Sequence, residues 1–335
     1  MSSPNLSRRD FLTVSGAVAA GAALSSGLVS SALAADAAAP APAPGAGPAR
    51  GPGRGPAAPT GPAGVATAKE TPFYKKKQIG IELYAVRGEL MKDLPKTLET
   101  VAKIGYEVVE FYAPYFQWKV PYAKEVRTML DDLGLRCYST HNHIASFTAG
   151  ETMNHGIELC QILGVRQIVM SQAPGGTNGL EGWKRLCGQL TAATEAFLPH
   201  GLTAGFHNHG TEWAKLEGTE GRTMDFLAAN TPKEFVLQFD VGTCVAAGAD
   251  PIAWIKQNPG RIKSMHLKDW APGTRQEEKG YRVLFGEGAT PWKEIFAIAE
   301  SVGGTEFYLM EQEGSRFSEF ETAERCLATW KQMRA

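Results

Sequence analysis

From Gln78 onward, short apolar runs alternate with amphipathic stretches. Gln78–Tyr84, Glu107–Phe111, Leu135–His141, Val165–Met170, Leu202–His209, Glu234–Asp240, Arg261–Lys268 and Thr305–Gln312 have the length and character of buried strands. Between and after them lie segments whose pattern predicts helices: Lys92–Ile104, Tyr122–Leu133, Glu151–Leu163, Leu180–Leu198, Met224–Ala229, Pro251–Gln257, Pro291–Val302 and Ser318–Met333. In Lys92–Ile104, for example, Leu94, Leu98, Val101 and Ala102 share one face. A glycine follows several helices at once, as in Ile104-Gly105, Leu133-Gly134 and Leu163-Gly164, where it would cap the helix before a short turn. Strict alternation predicts parallel strands, and eight such units most economically close into a (β/α)8 TIM barrel. An open doubly wound sheet competes with it. Tyr84-Ala85-Val86-Arg87-Gly88, however, offers no glycine-rich phosphate turn after the first strand.

The strands run apolar and then turn polar at their C-terminal ends, the end at which barrel enzymes build their sites. Leu202–His209 ends in His207 and His209, whose i, i+2 spacing puts both imidazoles on one face of a strand and Asn208 on the other. Asp240, His266 and Glu311 end the next three strands. Glu82, Tyr84, Glu110, His141, His143, Gln172, Glu212 and Lys268 also fall at or just beyond strand ends, and five of the seven histidines lie among them. Taken singly, each has an ordinary explanation. Asp240, followed by Gly242-Thr243, could simply cap a helix. Together, His207, Asp240, His266 and Glu311 predict a divalent-metal site, because inward side chains of adjacent strands converge. Nitrogen and oxygen donors without sulfur suit Mn, Co, Fe, Zn or Ni and argue against a structural thiolate zinc. A metal so held binds neighbouring sugar oxygens, acidifies the carbon next to a carbonyl and steadies the enediolate that forms. Glu311, Lys268 and His209 are the expected catalytic groups, as base or ligand, as cation or proton donor, and as a further base. Tyr84, Glu110, His141 and Trp270 are expected to bind substrate, the aromatic faces suiting a sugar ring.

Composition changes the picture mainly at the N-terminus. Ser7-Arg8-Arg9-Asp10-Phe11-Leu12, a weakly apolar run and Ala32-Leu33-Ala34 form a twin-arginine export signal over residues 1–34, with cleavage expected after Ala34. Retention as a membrane anchor is the competing reading. Residues 35–71 are Ala, Pro and Gly, unable to bury a core, and read as a disordered linker. Residues 72–335 suit one barrel, which typically takes ~250 residues. The net charge of −1, with signs interspersed, gives no basic stripe for nucleic acid. The expected partners are therefore a small carbohydrate and, during export, the twin-arginine translocase, with a periplasmic destination and no stable membrane span after cleavage. The five cysteines are odd in number and widely spaced, and this route carries folded proteins, so they are expected to be buried free thiols.

Several of these strand ends resemble the xylose-isomerase-like TIM barrels, the sugar phosphate isomerase/epimerases. The motifs are Gly80-Ile81-Glu82-Leu83-Tyr84-Ala85-Val86-Arg87, Phe206-His207-Asn208-His209-Gly210, Phe239-Asp240-Val241-Gly242, Met265-His266-Leu267-Lys268-Asp269-Trp270, Phe285-Gly286-Glu287-Gly288 and Met310-Glu311-Gln312-Glu313. The resemblance covers about Gln78 to Arg334. It implies a divalent metal, most often Mn with Co, Fe, Zn and Mg as alternatives, held by Glu, Asp, His and Glu. Asp240, His266 and Glu311 match the last three, while His207 stands where the first Glu would be. That departure counts against two-carboxylate epimerisation, and His-x-His is similar to the inosose-dehydratase-like branch, which eliminates water next to a keto group. The expected activity is a metal-dependent sugar isomerase or epimerase, or a dehydratase or lyase, on a sugar, keto-glycoside or cyclitol. A non-catalytic sugar- or polyol-binding barrel is the alternative.

Overall fold

The computed structural model describes residues 77–112, 115–273 and 280–335. The expected signal over 1–34 and linker over 35–71 lie outside the described residues. The eight expected strands all form: β1 Gln78–Glu82, β2 Val108–Glu110, β3 Ser139–Asn142, β4 Gln167–Met170, β5 Thr203–His207, β6 Val236–Asp240, β7 Ser264–Leu267 and β8 Phe307–Met310. The main helices follow them in turn: α1 Leu94–Ile104, α2 Val120–Asp132, α3 Glu151–Leu163, α4 Gly179–Phe197, α5 Thr223–Ala229, α6 Pro251–Gln257, α7 Trp292–Ile298 and α8 Glu319–Met333. Two short helices, Arg87–Lys92 and Val241–Ala246, lie in the loops after β1 and β6.

All strand pairings are parallel, in the order β2-β1-β8-β7-β6-β5-β4-β3. β2 and β3 meet through the isolated parallel bridges Val108↔Arg136 and Phe111↔Thr140, so the cylinder is nearly closed. Several strands are shorter than their apolar runs, for local reasons. The first stops at Glu82 because its own carboxylate accepts the Tyr84 N–H at 2.8 Å and turns Leu83–Val86 into a 3₁₀ turn. The third begins at Ser139, since Arg136 makes no more than a lone bridge with β2. Gly105 and Gly164 end α1 and α3 at φ of 110° and 83°, a conformation that costs a residue with a Cβ more.

Strand alternation sorts side chains into two environments. Residues such as Ile79, Ile81, Phe206, Phe239, Met265, Leu267, Tyr308 and Met310 belong to one large apolar core shared with the helices. The opposite register holds a small separate apolar cluster, Val108, Phe307 and Leu309 with Tyr138 against it. Gly80 belongs with it, for a Cβ there would lie 2.6 Å from the Val108 carbonyl oxygen. Two residues further along these same strands come Glu82, Glu110 and Glu311. The barrel interior is therefore plugged by apolar groups at one level and lined by polar ones beyond it. The five cysteines are all buried and free. Among the described residues no helix is long and apolar enough to cross a membrane.

Candidate functional site

The polar interior has two tiers. In the lower tier Glu110 is fully buried and its oxygens are occupied. It accepts Ser139 Oγ at 2.5 Å, Gln238 Nε2 at 2.7 Å and His266 Nε2 at 3.1 Å. Gln238 also reaches Ser264 Oγ at 3.2 Å, and Ser264 Oγ donates to Gln167 Oε1 at 2.7 Å. Because the Gln238 amide nitrogen is donating, its oxygen is the acceptor, so the 2.7 Å contact with His141 puts a proton on Nε2 of that ring. Every member of this layer has a partner, the condition under which a buried polar network stabilises rather than costs.

The upper tier differs. His207 is fully buried, yet neither of its ring nitrogens has a hydrogen-bond partner. Its Nε2 lies 3.8 Å from Asp240 Oδ2 and 3.8 Å from Glu311 Oε2. Asp240 Oδ2 likewise accepts no hydrogen bond, although Lys268 Nζ stands 3.2 Å away. The other Asp240 oxygen caps the helix Val241–Ala246 by accepting the Thr243 N–H at 2.8 Å. Asn208, on the far side of the strand from His207, pins this corner by bonding Asp240 N–H, Asp240 O and Thr243 Oγ1. Gly242 is required here, because a Cβ would sit 2.4 Å from the Lys268 carbonyl oxygen. Three donors around an ion at metal-ligand distances near 2.1 Å would have edges of about 3.4 Å, so the two sides that meet at His207, 3.8 Å each, need little contraction, and all three donors lie within 4.8 Å of one another.

Electrostatics separate the histidines. His266 stacks on His141 at 5.2 Å and hydrogen-bonds Glu311 Oε2 through Nδ1 at 2.7 Å, with Glu110 on its other nitrogen. Burial opposes its charge, but Glu110 and Glu311 outweigh burial and lift it to about 10, so it is an imidazolium. In His207 burial wins, helped by the charge on His266, and the ring is held well below the ordinary histidine range as a neutral donor of lone pairs. Burial, then Glu311 and Glu110, push Glu82 well above the usual carboxylate range, and its Oε1 has no partner. Against burial, Lys268 and His266 hold Glu311 well below that range. The buried carboxyl groups Glu82, Glu110, Asp240 and Glu311 share this space with two buried cationic side chains, Lys268 and His266, and burial pushes Glu82 and Asp240 up.

Nine of the ten expected site residues have side-chain contacts in or beside this space. His207, Asp240 and Glu311 form one compact donor set, and the rings of His141, His207 and His266 form a second. In the second set His141 and His266 have nitrogens already engaged. Lys268 is 3% exposed rather than a surface lysine. His209 is half-buried, its ring perpendicular to His207 at 4.9 Å. Tyr84 is half-buried above Glu82, edge-on to Tyr112 at 5.1 Å and covered by the Arg87 guanidinium at 4.4 Å. Trp270 is half-buried, and its backbone N–H donates to Asp269 Oδ1 at 2.8 Å. Of the other strand-end residues, His143 is exposed, and Glu212 turns back to cap the His209 N–H at 2.8 Å. Gln238 and Glu313 were missed by sequence reasoning. Gln238 sits two residues before Asp240, so alternation alone could have found it. Glu313 lies past the end of β8, where alternation no longer tells direction.

The xylose isomerase-like TIM barrel family matches residues 98–332, and a twin-arginine translocation signal sequence matches residues 5–25. The inosose dehydratase of Clostridium beijerinckii is 28% identical over 149 residues, 40% of this chain and 48% of that protein. The chain thus spans about half the length of the curated relatives it matches. A sugar phosphate isomerase/epimerase structure from Parabacteroides distasonis superposes with a TM-score of 0.64 at 24% identity, over 80% of this chain and 96% of that one. An IolI protein with a bound zinc atom gives 0.60 at 15% identity, over 77% and 98%. At these identities both are likenesses of fold.

Proposed function

The chain belongs to the xylose isomerase-like TIM barrel family, and on that premise we propose that it is a divalent-metal-dependent enzyme working next to a carbonyl of a sugar, keto-glycoside or cyclitol. The observation that carries this reading is His207. A neutral imidazole, fully buried and without a partner on either nitrogen, faces two carboxylate oxygens at 3.8 Å. Such a group costs stability unless something ligates it. His207, Asp240 and Glu311 are the assigned ligands; His266, charged and hydrogen-bonded at both nitrogens in the metal-free protein, would have to shed a proton and release one carboxylate to serve as the fourth. Mn is the first choice, and Co, Fe, Zn and Mg suit a donor set without sulfur. When bound, the ion would supply Lewis-acid stabilisation of the enediolate oxygens.

The remaining chemistry belongs to the chain's own groups. Lys268 is held as an ammonium by Asp240, Glu311 and Glu313 against the cost of burial, and acts as the proton donor to a carbonyl or leaving oxygen. Glu311 and His209 are the proton acceptors, one buried and the other at the mouth of the site. Tyr84, His141 and Trp270 are the assigned substrate contacts. Glu110, with its oxygens taken up by Ser139, Gln238 and His266, orients the two histidines behind them. With His207 in place of a carboxylate, elimination next to a keto group is favoured over two-carboxylate epimerisation. We also assign residues 1–34 to a cleaved leader, 35–71 to a linker and 72–335 to the barrel, with the mature protein exported to the periplasm.

Elemental analysis of purified protein should find about one equivalent of divalent metal, absent from Asp240→Asn/His266→Gln. Keto sugars and inososes incubated with the loaded protein in deuterated water should exchange the proton next to the carbonyl. Metal without exchange, but with sugar binding, would favour a receptor over an enzyme.

A further inference from the structure

The Lys268 ammonium occupies an odd position. It stands 3.2 Å from Asp240 Oδ2 and 3.3 Å from Glu311 Oε2, the same two oxygens that face His207. Neither contact has hydrogen-bond geometry. The hydrogen bond of this ammonium, among the described residues, goes to Glu313. Glu313 lies outward: its side chain is 34% exposed, against 6% for Glu311 and 0% for Asp240. The Tyr281 ring lies 5.9 Å from Nζ. A single position of the ammonium therefore bridges two inner candidate ligands, Asp240 and Glu311, and the outer carboxylate of Glu313.

Two cations cannot share the inner oxygens without mutual repulsion, which is strong where water is scarce. In the metal-free protein the ammonium offsets the repulsion between Asp240 and Glu311 and keeps their oxygens together. Once a divalent ion sits among His207, Asp240 and Glu311, the ammonium must withdraw. We propose that Glu313 is a positioning residue: already hydrogen-bonded to the Lys268 ammonium, it keeps hold of it when the metal enters, so that the ammonium leaves the metal-binding oxygens and is fixed at the rim, where a substrate oxygen would meet it. This rests on the metal reading of the site given above.

The assignment makes metal affinity depend on Lys268 and Glu313 with opposite signs. Metal-free wild type, Lys268→Met, Glu313→Gln and the double variant are titrated calorimetrically with Mn²⁺ alone and with Zn²⁺ alone. Lys268→Met should bind about tenfold more tightly, because a competing cation is gone. Glu313→Gln should bind about tenfold more weakly, because the lysine has lost its outer partner. In the double variant the Glu313 effect should vanish, leaving the affinity of Lys268→Met. Glu313→Gln changes a partly exposed side chain and keeps the test open if the lysine variant does not fold. Weaker binding by Lys268→Met, unchanged binding by Glu313→Gln, or a Glu313 effect that persists without the lysine would each overturn the proposal while leaving the metal site intact. If none of the four proteins binds either ion, the metal reading falls and the proposal with it.

Discussion

The two tiers of the barrel interior, which share β6 through Gln238 and Asp240, obey opposite rules. Around Glu110, Gln238, Ser264 and Gln167 donors and acceptors are matched and the network closes on itself. In the other tier, His207, Asp240 Oδ2 and Glu82 Oε1 are buried and unmatched. The lower tier has the signature of a structural layer, complete without any visitor. The upper tier is complete only with something added, and unmatched polarity of that kind distinguishes a site from a well-packed polar core.

Mutations should separate the tiers, beginning with the largest effect. Glu110→Ala takes the acceptor from Ser139 and one of two acceptors from Gln238 and from the buried His266 imidazolium, and should cost about 3–5 kcal/mol in chemical denaturation. A loss under 1 kcal/mol would mean that the lower tier is not structural.

The pH dependence of the metal-free protein should divide in the same way. His266 titrates near 10 when folded and near the ordinary 6.5 when unfolded, so its contribution is full below pH 6.5 and lost as pH rises toward 10. His207, held low, runs the other way: charging it costs stability as pH falls below 6.5. Urea midpoints across pH 5 to 10 should therefore fall at both ends. The alkaline fall should flatten in His266→Gln, and the acid fall should shrink in His207→Gln.

Ser264→Ala removes a donor to Gln167 and an acceptor for Gln238, and should cost about 1–2 kcal/mol. The smallest effect is expected for Asp240→Asn in the upper tier. Burial holds the Asp240 carboxyl above its ordinary range, so its ionised form detracts from stability, while asparagine remains a competent cap for Val241–Ala246. The metal-free variant should unfold within about 1 kcal/mol of wild type, or be slightly more stable, and yet lose metal. A large destabilisation would put Asp240 with the structural layer.

Much of this was legible beforehand. The alternation of runs gave the barrel, and α3 and α6 have the bounds their patterns predict. The strand-end histidines and acids gave the site, because a parallel strand buried on both faces turns polar only where it opens on a cavity. What stayed hidden depends on pairing rather than pattern. Sequence cannot say that Glu110 faces three donors instead of substrate, since those donors come from β3, β6 and β7. Nor can it say that both nitrogens of His266 are spoken for while those of His207 are free. The distinction arises from inter-strand register, which one chain read in order does not display.

The buried thiols carry a consequence for the protein's lifetime after export. Cys137, Cys160, Cys187, Cys244 and Cys326 are sealed from oxidants while the barrel is intact. An excursion to the unfolded state in an oxidising medium would expose an odd set of thiols able to pair wrongly or with another chain. Unfolding there would be a one-way door, and durability would be governed by how rarely the door opens rather than by the equilibrium balance between folded and unfolded chain.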